Sequence, residues 1–261
     1  MCFQAIICAV LEYNGVVPSY TDSITALCIL EYYIYLSTLY RQKLNDKLDA
    51  YVEEVENAGL KLKGLTKEVI AAFANSIDAK DEYTHGHSSR VAEYSRRIAQ
   101  ASGKTPEECE EIYYAGLLHD IGKIGVPEDI ITKEGKLTPE EYEKIKEHPV
   151  LGAQILGNIT EYPYLSIGAR GHHERYDGKG YPDGLKGEKI PDMARIIAVA
   201  DAYDAMSSKR SYRAPIPQQK VREEIVKGIG TQFDPEYARI MLHLIDEDLE
   251  YKMSEREEIS D

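Results

Sequence analysis

The sequence predicts an all-α protein, and three observations predict it. Apolar residues recur at helical spacing, as at Val91, Tyr94, Ile98 and Ala101, which share one helical face. Helix-start signals recur as well. Thr105-Pro106-Glu107-Glu108 and Thr138-Pro139-Glu140-Glu141 each set a capping Thr before a Pro, with Glu at the third position after it. No run of alternating β-branched residues reads as a substantial strand, and only the polar turn through Tyr181–Ile190 offers a small hairpin.

With 261 residues, 43% of them hydrophobic, the chain can bury the core of one large domain or of a domain with an appendage. Its net charge of −14 argues against a DNA or RNA polymer as partner, which needs a basic face to displace counterions. A small anionic ligand is not excluded, because a local cationic pocket or a bound metal overrides the global sign. The cysteines at 2, 8, 28 and 109 form no CxxC pair. Free buried thiols in a reducing compartment are expected, not a disulfide framework or a Cys-rich zinc site.

In chain order, residues 1–40 form an apolar segment that differs from the rest. Residues 1–11 are almost wholly apolar with no basic residue ahead of them, unlike a signal peptide. Ile24 to Tyr40 is apolar or aromatic apart from Glu31 and small polar residues, and Arg41, Lys43 and Lys47 follow at once. The basic flank suits a cytoplasmic exit from a membrane. Against this, the run falls short of the roughly 20 residues a span needs. A mid-depth Glu would also cost about 2.5–3.5 kcal/mol. The expectation is a membrane contact or a piece of a truncated sensor, with the catalytic part cytoplasmic. Residues 41–64 form a connector. Leu44, Leu48, Tyr51, Val55, Ala58, Leu62, Leu65 and Val69 follow alternating spacings of 4 and 3, the seam of a coiled coil. A homodimer through the 44–69 helix is expected. Residues 65–250 form the main domain, in which Pro191, Pro217 and Pro235 open further helices, and 251–261 form an acidic tail.

The candidate chemistry lies in histidines and carboxylates at the ends of apolar helical runs. These are His87, the pair His119-Asp120, His148, the pair His172-His173, and Asp201. Neutral imidazole and carboxylate together suit divalent first-row metals, and neighbouring side chains at a helix end diverge by roughly 100°. One member of each pair can therefore serve one metal while the other turns to a second. Asp120, with two oxygens, is the better bridge. His85 and His243 have no such partners; the first is expected in an exposed loop and the second packed on the last helix. Lys209, Arg210 and Arg213 form a cation cluster that either contacts phosphate or is a solvated helix end.

These residues sit in long runs: DEYTHGHSSRVAEYS, GLLHDIGKIGVPEDII, KLTPEEYEKIKEHPVLGAQIL, HHERYDGKGYPDGLKGEKIP and ARIIAVADAYDAM. In order and content they resemble the HD-GYP domain, a bacterial subfamily of the HD-superfamily metal-dependent phosphohydrolases, over residues 65–250. The resemblance implies an HD-type helical bundle with a small polar turn or hairpin insert. It implies hydrolysis of cyclic di-GMP to linear pGpG, with GMP as final product left open, in bacterial signal transduction. Alternatives are a phosphodiesterase on another cyclic dinucleotide and an inactive sensory or interaction module. The implied metal ligands are His87, His119, Asp120, His148, His172, His173 and Asp201. Asp120 and Lys123 are the implied catalytic residues, with Lys123 matching a lysine that contacts the phosphate or a bridging water. Gly180, Tyr181 and Pro182 form the signature turn facing substrate. Members with three metals carry Glu four residues before the first His, and here Tyr83 stands in that place. A phenol is a poor ligand at neutral pH. Two divalent ions, iron or manganese, are expected, and a third would need water or Glu82.

Overall fold

The computed structural model of the chain describes residues 10, 13, 18–80, 86–133, 135–208, 216–248 and 253, and it divides into two compact units, Met1–Leu65 and Thr66–Asp261. Its regular elements are all helical, with one isolated bridge between Ile229 and Phe233.

Helix α1 (Pro18–Asp78) contains the whole of the predicted connector. Its heptad seam is exposed, with Leu48 at 59%, Val55 at 70% and Leu62 at 66%. No helix among the described residues is long and apolar enough to cross a membrane. The expected membrane segment at 24–40 is not met as a span, because Glu31 and interspersed Tyr, Ser and Thr dilute its apolar character. Most of the preceding apolar stretch and the tail beyond 253 lie outside the described residues.

The second unit packs short helices around two apolar clusters. Helix α2 (His87–Ala101) buries Val91, Tyr94 and Ile98 of the predicted face, while Ala101 at its end is exposed. Helices α3 (Pro106–Leu117) and α5 (Pro139–Ile145) both start with a complete capping box, on Thr105 with Glu108 and on Thr138 with Glu141. Each such cap contributes about 1 kcal/mol. A 3-10 helix (Ile121–Gly125) and helix α4 (Glu128–Ile131) lie between them. Helices α6 (His148–Leu156) and α7 (Pro163–Gly171) follow, and then α8 (Asp192–Ser207), α9 (Gln218–Gly228) and α10 (Pro235–Glu247).

Helix α8 is central. Its Ile196, Ile197, Val199, Ala200 and Tyr203 are fully buried on several sides of the helix, in a cluster shared with α2, α3, α9 and α10. Each such isoleucine contributes about 1.5–3 kcal/mol. The second cluster joins Ala74 and Ile77 of α1 to Leu117, Leu118 and Ile121, and to Leu165 and Ala169 of α7.

The end of α1 is tied to the start of α2. Buried Asp78 accepts hydrogen bonds from the Ser88 amide at 3.2 Å and the Ser88 hydroxyl at 2.5 Å. Just past α1, Lys80 donates to the carbonyls of Lys123 (3.1 Å), Ile124 (3.1 Å) and Val126 (2.7 Å).

The 181–190 insert takes the turn form of the two expected, turn or hairpin, with a 3-10 helix at Gly187–Lys189 and no ladder among the described residues. Its backbone amides go elsewhere, since the buried Glu174 carboxylate accepts from Asp183 (2.7 Å), Gly184 (3.1 Å) and Leu185 (2.9 Å). His243 is not packed; its side chain is 71% exposed and lies 3.2 Å from Glu247, one turn on. Cys109 is a buried free thiol as expected, Cys28 is free but only half-buried, and Cys2 and Cys8 lie outside the described residues.

Candidate metal centre

The residues proposed from sequence as ligands come from five places in the fold. His87 is the first residue of α2, and His119-Asp120 occupy the turn between α3 and the 3-10 helix. His148 begins α6, His172-His173 close α7, and Asp201 lies inside α8. They converge in two groups, Asp120 with His148, His172 and His173, and His87 with His119 and Asp201. Within each group the potential ligand atoms all lie within 4.8 Å of one another.

Asp120 joins the groups. Its Oδ1 lies 3.3 Å from His148 Nε2 and 3.8 Å from His172 Nε2. Its Oδ2 lies 3.4 Å from His119 Nε2 and 3.7 Å from His87 Nε2. His87 Nε2 is also 3.5 Å from Asp201 Oδ1. One carboxylate therefore presents a different oxygen to each set of imidazoles.

The far side of each ring explains its orientation. His119 Nδ1 donates to the Gly116 carbonyl (2.6 Å), His148 Nδ1 to Ile145 (2.6 Å) and His172 Nδ1 to Ala169 (2.8 Å). A carbonyl only accepts, so the proton sits on Nδ1 and the Nε2 lone pair points into the centre. His87 Nδ1 instead donates to Asp204 Oδ2 at 2.7 Å.

This donor set fits divalent cations. His119 Nε2 is buried and has no hydrogen-bond partner. His148 Nε2 and His172 Nε2, both lone-pair atoms in this tautomer, face each other at 3.3 Å. Such a pair repels unless a cation draws on it.

The electrostatics favour ligation. Burial, reinforced by the neighbouring imidazoles, holds His172 well below the usual histidine range. Burial pushes His173 down to about 4 against the pull of Asp201. Both are neutral imidazoles at neutral pH, the form a metal would need. Burial would raise Asp120, but Lys123, His119 and His148 outweigh it and hold it well below the carboxylate range. Burial likewise opposes ionisation of Asp201, and His87 and His119 overcome it. His87 is raised to about 9, because Asp120 and Asp204 outweigh its burial. A cation entering there displaces that proton.

Lys123 places its Nζ 2.5 Å from Asp120 Oδ2. Beside His148 opens a cavity of about 690 Å³, lined also by Val126, Lys146, Gly180, Tyr181 and Pro182. That volume suits a small-molecule ligand. Gly180 is required by close approach, since a Cβ there would sit 2.3 Å from the Arg175 amide nitrogen. The Tyr181 ring stacks on His173 with centroids 4.8 Å apart, and Lys146 Nζ lies 5.7 Å from its centre. Lys209, Arg210 and Arg213 fall outside the described residues, as do Glu82, Tyr83 and His85.

Sequence reasoning missed the supporting residues. Asp204 is fully buried between His87 and Arg90, whose Nε lies 2.6 Å from Asp204 Oδ1. Its signal was a second carboxylate at i+3 on the apolar helix of Asp201. Glu174, which knits the turn, was legible only as an acid before a glycine-rich stretch.

Known proteins align with these features. The family described as HD domain matches residues 71–237. A cyclic di-GMP phosphodiesterase of Thermotoga maritima is 38% identical over 222 residues, covering 84% of this chain and 60% of that protein. A 3'3'-cGAMP-specific phosphodiesterase 2 of Vibrio cholerae is 34% identical, covering 84% of this chain and 40% of that protein. The chain thus spans about half the length of these curated relatives. Among solved structures, a V. cholerae cyclic GMP-AMP specific phosphodiesterase superposes with a TM-score of 0.56 at 17% identity, over 69% of this chain and 49% of the other. A HDG"Y"P protein from Bdellovibrio bacteriovorus gives 0.52 at 21% identity, over 61% and 51%. These two likenesses show the all-α fold.

Proposed function

The chain belongs to the HD domain family, whose members bind divalent metal, and from that premise we propose that it hydrolyses a phosphodiester bond of cyclic di-GMP to linear pGpG. The observation that carries this reading is the split of the Asp120 carboxylate, one oxygen toward each imidazole group. It supports a pair of divalent cations, one held by His148, His172 and His173, the other by His87, His119 and Asp201, with Asp120 shared. Imidazole-rich sites with carboxylate suit iron or manganese.

Bound cations supply Lewis-acid activation of water and neutralise charge at phosphorus. The chain's own residues do the rest. Burial of the cluster excludes bulk water and keeps His172 and His173 neutral. Lys123 offers its ammonium beside Asp120 to a non-bridging phosphate oxygen, where charge grows in the transition state. Tyr181, Pro182 and Lys146 line the cavity next to His148 and receive the rest of the dinucleotide. Gly180 lets the turn approach closely enough to form that wall. Lys209, Arg210 and Arg213 are proposed contacts for the second phosphate.

A second reading, a mixed GMP–AMP ring as substrate, is favoured by the V. cholerae relatives named for 3'3'-cGAMP. An inactive interaction module is disfavoured by the converging donor set. The test is product analysis with anaerobically purified, metal-quantified protein offered each dinucleotide. Turnover of cyclic di-GMP, abolished in His119→Ala and Asp120→Ala without unfolding, is expected. Faster turnover of the mixed ring would move the assignment to it, and no turnover of either by metal-loaded protein would refute both.

We also propose that the exposed seam of α1 from Leu44 to Val69 pairs with a second copy of the chain, since an apolar heptad face is stabilised by packing on a second helix.

A further inference from the structure

The two halves of the donor cluster are built differently. Three imidazoles, His119, His148 and His172, are braced by backbone carbonyls three residues upstream. His87 is braced by a carboxylate from another helix, Asp204 on α8. Asp204 is itself fixed. Its Oδ1 accepts from Arg90 Nε at 2.6 Å and from the Ser208 hydroxyl at 3.1 Å, and none of its surface is exposed. Asp201 and Asp204 are three residues apart on α8, so one helical face carries both a ligand and the brace of another ligand.

Charge divides the cluster by halves. The His87–His119 half has a carboxylate of its own, Asp201, besides its share of Asp120. The His148–His172–His173 half has only its share of Asp120. An imidazole donating to a carboxylate is also a more basic ligand than one donating to a carbonyl. The opposing charges on this side are Lys123, near Asp120 Oδ2, Arg90, which pairs with Asp204, and the proton that an entering cation displaces from His87. The Lys123 side chain is 24% exposed on a flexible stem, so it can swing aside as a cation enters, and Arg90 is already matched by Asp204, which α8 holds together with Asp201.

We propose that the two cation positions are unequal, that the His87–His119–Asp201 half fills first, and that Asp204 is the positioning residue responsible. The proposal rests on the reading of the cluster as a metal centre and adds an order and a cause to it.

The test uses the full chain, stripped of metal and titrated with zinc, a diamagnetic probe, while imidazole nitrogens are followed by NMR. The His87 and His119 signals are expected to complete their shift within the first equivalent, and those of His148, His172 and His173 within the second. The reverse order, or all rings shifting together, would overturn the proposal while leaving the metal centre standing. No zinc uptake would remove the metal centre itself. Asp204→Asn is expected to weaken the first binding step by about 10–100-fold and to spare the second. In a His87→Ala background the same substitution should change nothing further. Equal weakening of both steps, or an undiminished loss without His87, would assign Asp204 a purely structural role. The order of filling in the unsubstituted chain decides the matter even if Asp204→Asn does not fold.

Discussion

At the scale of single residues, the centre depends as much on what is missing from a side chain as on what is present. Gly122 follows the His119-Asp120 pair, and a Cβ there would lie 1.9 Å from the His148 carbonyl oxygen and 2.5 Å from the Gly152 nitrogen. Both neighbours are backbone, so neither can turn away. Gly122→Ala is therefore expected to push α6 and its His148 out of place and to lower turnover by about 100-fold, the usual effect of a displacement near 1 Å. Turnover and bound metal, measured together, should both fall; a fully active, fully loaded variant would contradict the geometry. The donor residues were legible in the sequence because their types are few and they end apolar runs. Asp204 was not legible as a brace. Its role depends on α2 and α8 crossing, and spacing along one helix says nothing about which ring its carboxylate meets. Tyr181 was legible only as part of the signature turn, yet it stacks on His173, a contact made by the fold of the turn.

At the scale of elements, helix starts were the most readable feature. Thr105 and Thr138 carry local signals, and both capping boxes form. Local chemistry decides such ends, so a single sequence suffices. Helix continuity was harder to read. The run from Thr138 toward His148 breaks into α5 and α6. The insert after Glu174 left turn and hairpin open, and the turn forms as the Glu174 carboxylate takes the amides of Asp183, Gly184 and Leu185. The end of α1 was equally hidden. No sequence signal marks Lys80, whose ammonium binds three carbonyls around the segment that carries Lys123. Lys80→Met keeps the stem and removes the donors. It is expected to destabilise the fold by about 1.5–3 kcal/mol, the range for a hydrogen bond to a charged group. Urea unfolding measures this, and an unchanged midpoint would show that the three bonds contribute nothing net.

At the scale of the whole molecule, the chain separates into a helical unit with an exposed apolar seam and a unit that contains all the proposed chemistry. The helical class was legible from periodicity alone. The partner of the seam is not, because a heptad pattern reads the same whether it packs on its own domain or on another chain. Deleting residues 1–64 is expected to turn a dimer into a monomer by light scattering, and an unchanged mass would refute the pairing. The deletion keeps Lys67, with its 2.6 Å ion pair to Glu110, and the buried Ala74 and Ile77. The dispersal of the donors has a consequence for how the protein matures. The first lies at residue 87 and the last at residue 201, on the buried helix α8. A nascent chain emerging from the ribosome cannot assemble the His87 half until α8 has been made and has folded back against α2. Completion of the centre is thus a late event in biogenesis, and a polypeptide arrested before residue 201 lacks the means to reach it.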